Sequence, residues 1–128
     1  MSDKKTIVAL AKEASVQESV TRVFDLMGGV TSLIEKGSVV FLKPNAGHAA
    51  PADTSVCTNP EVVRAVIREV KKAQPREIVI AEAAAIGCDT MECYEVSGIK
   101  AVADEEGVEL YDIKADKDLV NVAVRGYR

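Results

Sequence analysis

The feature that most constrains this chain is an alternation of short, unbroken apolar runs with longer stretches in which apolar residues recur at helical spacing. Val39-Val40-Phe41-Leu42 and Ile78-Val79-Ile80-Ala81 are continuous instead of alternating, the pattern of strands buried in a parallel sheet. Thr6 to Leu10 reads the same way and predicts a first strand. Val108 to Ile113, with more visible alternation, predicts a fourth, and Leu119 to Val124 a fifth.

Helical signals fill the intervals. Ser15 followed three residues on by Glu18 forms a capping box, after which Val16, Val20, Val23 or Phe24, and Met27 recur on one face. Gly28-Gly29 should break that helix, leaving Val30 to Glu35 for a further turn that Gly37 can end. Thr58 or Asn59 can cap a helix whose first residue is Pro60. Val62, Val63, Val66, Ile67 and Val70 give it one apolar stripe, while Arg64, Arg68, Lys71 and Lys72 fall largely on solvated faces, and Pro75 forbids its continuation. Asp89 and Glu92 form another capping box into a short helix ending near Gly98, and a helix through Ala101, Val102 and Glu105 leads to Gly107.

Strand, helix, strand in repetition predicts right-handed crossovers. The expected fold is α/β, a mainly parallel sheet of four to five strands with helices on both faces, in a single domain over residues 1–128. Arg128 follows an apolar stretch with no closing helix after it, so the sequence reads as an incomplete part of a larger domain.

Composition narrows the functional classes. The 128 residues carry 16 Lys or Arg against 20 Asp or Glu, a formal charge of −4, and no clustered basic run that could neutralise phosphates, which argues against nucleic acid as a partner. Aromatic residues are 4% of the chain and Trp is absent, so stacking platforms for bases are poorly supplied. The apolar start after Lys5 is too short for a secretion signal and far too short for a membrane span, so a cytoplasmic location without membrane association is expected. Cys57, Cys88 and Cys93 form an odd set without paired spacing, which predicts free thiols and no metal site. A self-contained iron–sulfur cluster normally needs four thiolates.

In an open parallel sheet, ligands collect beyond the carboxyl ends of the strands. Two loops answer to that position: Lys43-Pro44-Asn45-Ala46-Gly47-His48, and Glu82 to Asp89. Pro44 stiffens the exit from its strand, so Lys43 and Asn45 are presented with little freedom. The helix beginning after Thr58-Asn59 follows the first loop, and its positive dipole end favours an anion nearby. Lys43, Asn45, His48, Thr58 and Glu82 are therefore the candidate ligand-binding residues, and the expected partner is a small anionic or polar molecule. Each also has a plainer reading: a solvated strand terminus for Lys43, a turn former for Asn45, an exposed side chain for His48, a helix cap for Thr58. Glu82 is sharper, because a carboxylate ending an apolar strand must be solvated, paired or functional, and Lys43 on the neighbouring strand end is its candidate partner. No glycine-rich phosphate signature occurs, and neither a reaction, catalytic residues nor a cofactor is specified.

Read together, Val39-Val40-Phe41-Leu42-Lys43-Pro44-Asn45 and Thr58-Asn59-Pro60-Glu61-Val62-Val63-Arg64 resemble the domain of unknown function 362 family. Gly28-Gly29 and Lys36-Gly37 before these segments, and Glu77 to Glu82, Ser97-Gly98-Ile99 and Glu106-Gly107-Val108 after them, extend the likeness to about residue 113. The likeness is to the N-terminal part of a usual family member. Where members often have a glycine before the third strand, this chain has Gln74-Pro75, a changed turn. The resemblance implies no settled activity. Some members carry a ferredoxin-like module with closely spaced cysteines, so it also implies, as an alternative, an iron–sulfur or redox-associated partner protein, though nothing in this chain matches that module. A third reading is an interaction domain that forms a homo-oligomer through an open edge strand.

Overall fold

A computed structural model describes residues 7–118 and 120–123. Its elements are helix α1 (Val16–Leu26), strand β1 (Val39–Leu42), helix α2 (Pro60–Lys72), strand β2 (Glu77–Glu82), helices α3 (Thr90–Val96) and α4 (Ile99–Glu106), and strand β3 (Glu109–Asp112). Short 3-10 turns occur at Val30–Ser32, Ala52–Thr54 and Ile113–Ala115. The sheet is parallel, in the order β1-β2-β3.

Helix starts follow the capping chemistry. Ser15 Oγ accepts from the Glu18 amide, Asn59 Oδ1 from that of Glu61, and Asp89 Oδ1 from that of Glu92. Asn59, not Thr58, is thus the cap of α2, with Pro60 opening the helix. Gly98 adopts φ +81° where α3 gives way to α4, and a Cβ there would meet Pro60 of α2 at 3.5 Å.

One side of the sheet is covered. Val40, Leu42, Ile78, Ile80 and Leu110 pack with Val63, Ile67 and Val70 of α2 and Ile99, Val102 and Ala103 of α4 into one core, and α1 lies on α2. The other side carries Val39, Phe41 and Tyr111, which are 47%, 55% and 37% exposed. Helices therefore cover one face among the described residues, not both as expected. The cause is strand order. Two crossovers of the same hand that step in the same direction deposit their helices on the same side, and coverage of both faces needs a reversal of direction. A strand order of this kind leaves no trace in the spacing of apolar residues.

The expected strand at Thr6 to Leu10 is absent over the described residues 7–10, where Ile7, Val8 and Leu10 are 72%, 87% and 90% exposed, and Thr6 lies outside the described residues. The expected fifth strand is likewise not formed over residues 120–123, while Leu119 and Val124 lie outside the description. An apolar run has the side chains of a strand, but a strand exists only by pairing, and the described residues of neither run pair with the sheet. The described sheet thus has three strands, not four to five. No described helix is long and apolar enough to cross a membrane.

Charged residues tie the helices together. Glu106 of α4 receives Arg68 and Lys71 of α2, each at 2.8 Å, and Arg64 bonds Glu105. Glu69, buried on α2, accepts from Thr21 and Gln17 of α1 and from Lys72 at 2.7 Å. Burial pushes the Glu69 carboxyl up, but hydrogen bonds from Lys72, Thr21 and Gln17 outweigh it, and the net displacement is downward.

Candidate functional site

The carboxyl ends of β1 and β2 are joined by a ladder of contacts between the loops that leave them. Lys43 Nζ lies 2.7 Å from Glu82 Oε2. Glu82 Oε1 accepts the amide of Ala83 at 2.8 Å, and the backbone of Ala46 also favours the charged form of this carboxylate. Further out, the amide of Ala85 donates to Gly47 O at 2.9 Å, and Cys88 Sγ lies 3.6 Å from His48 Nδ1. The two loops that the sequence singled out are one rim.

Glu82 is 5% exposed, so its charge needs this many donors. Burial raises the tendency to hold a proton, while the Lys43 ammonium and the backbone of Ala83 and Ala46 lower it by more, so the carboxyl titrates below its ordinary value. Glu82 faces its neighbours and fixes the loops. The Lys43 side chain is 57% exposed, and an ammonium has three N–H groups, one of which reaches Glu82.

Asn45 and Thr58 hold the long connection between β1 and α2 in place. The Asn45 amide donates to Thr58 Oγ1 at 2.8 Å, the Thr58 amide returns to Asn45 O at 2.8 Å, and Asn45 Nδ2 reaches Val56 O at 2.9 Å. The five candidate residues thus fall into two bonded pairs, Lys43 with Glu82 and Asn45 with Thr58, with His48 set apart beside Cys88. Cys88, which spacing left without a partner, meets a residue 40 positions away in the chain.

A cleft of about 200 Å³ opens beside the rim, between the end of β1 and the first turns of α2. Leu42, Val62, Val63 and Val66 give it an apolar floor, and Lys43 and Thr58 stand at its polar side. A wider depression of about 410 Å³ lies at the opposite ends of β2 and β3, between Lys71, Arg76, Glu77 and Glu109. Lys71, Gln74, Arg76, Glu77 and Glu109 make its lining largely polar and of mixed charge, so it lacks the apolar floor of the cleft beside β1.

The end of β3 completes the rim. Thr90 Oγ1 donates to Asp112 Oδ1 at 2.8 Å, and Lys114 Nζ donates to Cys88 O at 2.6 Å. Behind it Tyr94 is fully buried, donates to Tyr111 O at 3.2 Å, and has its phenol pushed far up by burial. Among the described residues no group of three or more His, Cys, Asp or Glu side chains is arranged to hold a metal ion.

A parallel sheet joined by crossover helices, with a rim built from the loops after its strands, defines an α/β protein of the crossover class. The chain belongs to the family described as a domain of unknown function, DUF362, whose model matches residues 40–128. The match begins inside β1, so Gly28-Gly29 and Lys36-Gly37 precede it. No curated protein and no solved structure matches the chain.

Proposed function

We propose that this chain binds a small molecule carrying an anionic or strongly polar group together with a compact apolar part. The observation that supports this reading is the cleft beside β1, which combines an apolar floor from Leu42, Val62 and Val66 with the half-solvated ammonium of Lys43. The ligand's anionic group meets the free N–H groups of Lys43 and the hydroxyl of Thr58, near the positive end of the α2 dipole. Glu82 and Asn45 act indirectly: Glu82 anchors Lys43, and Asn45 holds Thr58 at the mouth. His48 belongs to the outer rim and reaches a ligand that extends beyond the cleft.

A thermal-shift screen of small carboxylates, phosphates and neutral controls tests the reading. Stabilisation by branched short-chain carboxylates that is lost in Lys43→Ala supports it. Shifts that are identical in the wild-type protein and in Lys43→Ala refute it.

One observation favours a second reading, an interaction domain. Among the described residues no helix covers the face bearing Val39, Phe41 and Tyr111, and parallel sheets are ordinarily covered on both sides. A second copy covering this face or pairing with an open sheet edge would form a homo-oligomer. Sedimentation equilibrium distinguishes the cases: a dimer disrupted by Phe41→Asp supports this reading, and a strict monomer removes it.

A further inference from the structure

We propose that Cys88 is a reactive thiol, activated by His48, that exchanges with small disulfides. Three features of the rim converge on it. His48 Nδ1 is 3.6 Å from Cys88 Sγ, so with the ring proton on Nε2 the free nitrogen is placed to take the thiol proton. Lys114 Nζ is held on the carbonyl of Cys88 itself at 2.6 Å, adding a positive charge to the same residue's surroundings. Cys88 is also partly open to solvent, whereas Cys57 and Cys93 are buried.

The surroundings contain other titratable groups. Cys57 lies on the His48 side, where its Sγ donates to His48 O at 3.2 Å. Cys93 and Glu92 contribute from α3, and Asp89 caps that helix next to Cys88 in the chain. Burial pushes the Cys93 thiol up, which leaves it an inert neighbour.

The amide of Cys88 itself, the usual oxyanion donor beside a nucleophile in acyl transfer, is taken up by Ala85 O at 2.9 Å, and that of Ala85 by Gly47 O. Displacement at sulfur needs only a nucleophile and a proton carrier. The Cys88 proton passes to His48. The Cys88 thiolate then attacks one sulfur of a small disulfide, forming a mixed disulfide and releasing the other sulfur as a thiolate, which takes the proton back from His48. Cys88 sulfur is oxidised by one electron equivalent, the released sulfur is reduced by one, and no further reagent is consumed.

The site requires nothing from the cleft, so its failure would leave the binding reading standing. The test is the rate of reaction of the native chain with dithiodipyridine, followed by absorbance, with the modified residue identified by peptide mass spectrometry. A free thiol at pH 7 is only a few per cent thiolate, and full activation gains less than that ratio because nucleophilicity falls as basicity falls. The expected result is modification of Cys88 about three- to fivefold faster than a cysteine peptide at pH 7, falling to the peptide's rate in His48→Ala and in His48→Gln. A rate unchanged in both His48 variants, a fast phase surviving in Cys88→Ser, or modification of Cys57 or Cys93 in preference to Cys88 would overturn the proposal. Both His48 variants alter an exposed side chain, and matching far-ultraviolet circular dichroism identifies folded samples.

Discussion

Lys43 and Glu82 stand 2.7 Å apart across the carboxyl ends of neighbouring parallel strands, one side chain largely in water and the other almost wholly out of it. The asymmetry decides what each residue does. Glu82 is a buried hub that also binds the amide of Ala83, whereas Lys43 is a cation held in place with donors to spare.

Glu82→Ala removes the acceptor that the Lys43 ammonium and the Ala83 amide share, at an expected cost of about 2 kcal/mol. Lys43→Ala leaves the buried carboxylate with its amide donor but without its cation, and should cost about 1 kcal/mol. Urea unfolding of the two variants measures the difference. Equal losses would mean that the hub is the ion pair and not the carboxylate with its amide.

Stability should decline in acid. Glu69, Glu82 and Glu106 all titrate below the ordinary glutamate value of 4.5 in the folded chain. A depressed carboxyl contributes stability that is fully present above its unfolded value and is lost as pH falls through its folded value. Melting temperature should therefore be flat towards neutrality with respect to these groups and fall below about pH 4.5. In Glu82→Gln the fall should be shallower, and an unchanged profile would contradict this assignment.

Gln74 supplies a test of the turn before β2. Its φ of +54° lies in the left-handed region, and its carbonyl accepts the amide of Gly37 at 2.9 Å. A side chain pays for that conformation, so Gln74→Gly should stabilise the fold by up to about 1 kcal/mol, the relief being partly offset by the freer unfolded chain. Gln74→Val should destabilise it. A loss of stability with glycine would show that the Gln74 side chain contributes something that its backbone strain conceals.

Glu69 tests the seam between α1 and α2. Thr21→Val deletes one neutral donor to a buried carboxylate and should cost about 1 kcal/mol, and Glu69→Ala should cost more because it strips the partner from Thr21, Gln17 and Lys72 together. A double-mutant cycle with chemical denaturation reads the coupling, and zero coupling would place the two residues in separate interactions.

Much of this was legible because charge marks the ends of apolar runs. Lys43 and Glu82 each close an apolar run, so their meeting at one rim followed once both runs were strands of one parallel sheet. The caps Ser15, Asn59 and Asp89 are local and were readable for the same reason. Glu69 was not: on the helix pattern it is one more polar residue, and its burial depends on how α1 lies across α2. Ile7 to Leu10 misled because an apolar run reports side-chain type and not whether an edge is free. The face at Phe41 that the described helices leave uncovered follows from strand order, and the approach of His48 to Cys88 from the ladder between two loops; neither is encoded in any short window of sequence.

The central claim, that the cleft beside β1 receives an anion-bearing ligand through Lys43, is tested most directly by a nitrogen-15 chemical-shift titration with isovalerate, using inorganic phosphate as the control that lacks an apolar part. Saturable shifts at Leu42, Thr58, Val62 and Val66, weaker with phosphate and abolished in Lys43→Ala, are the predicted result. Shifts confined to other parts of the molecule, or a titration that proceeds equally well without Lys43, would contradict it.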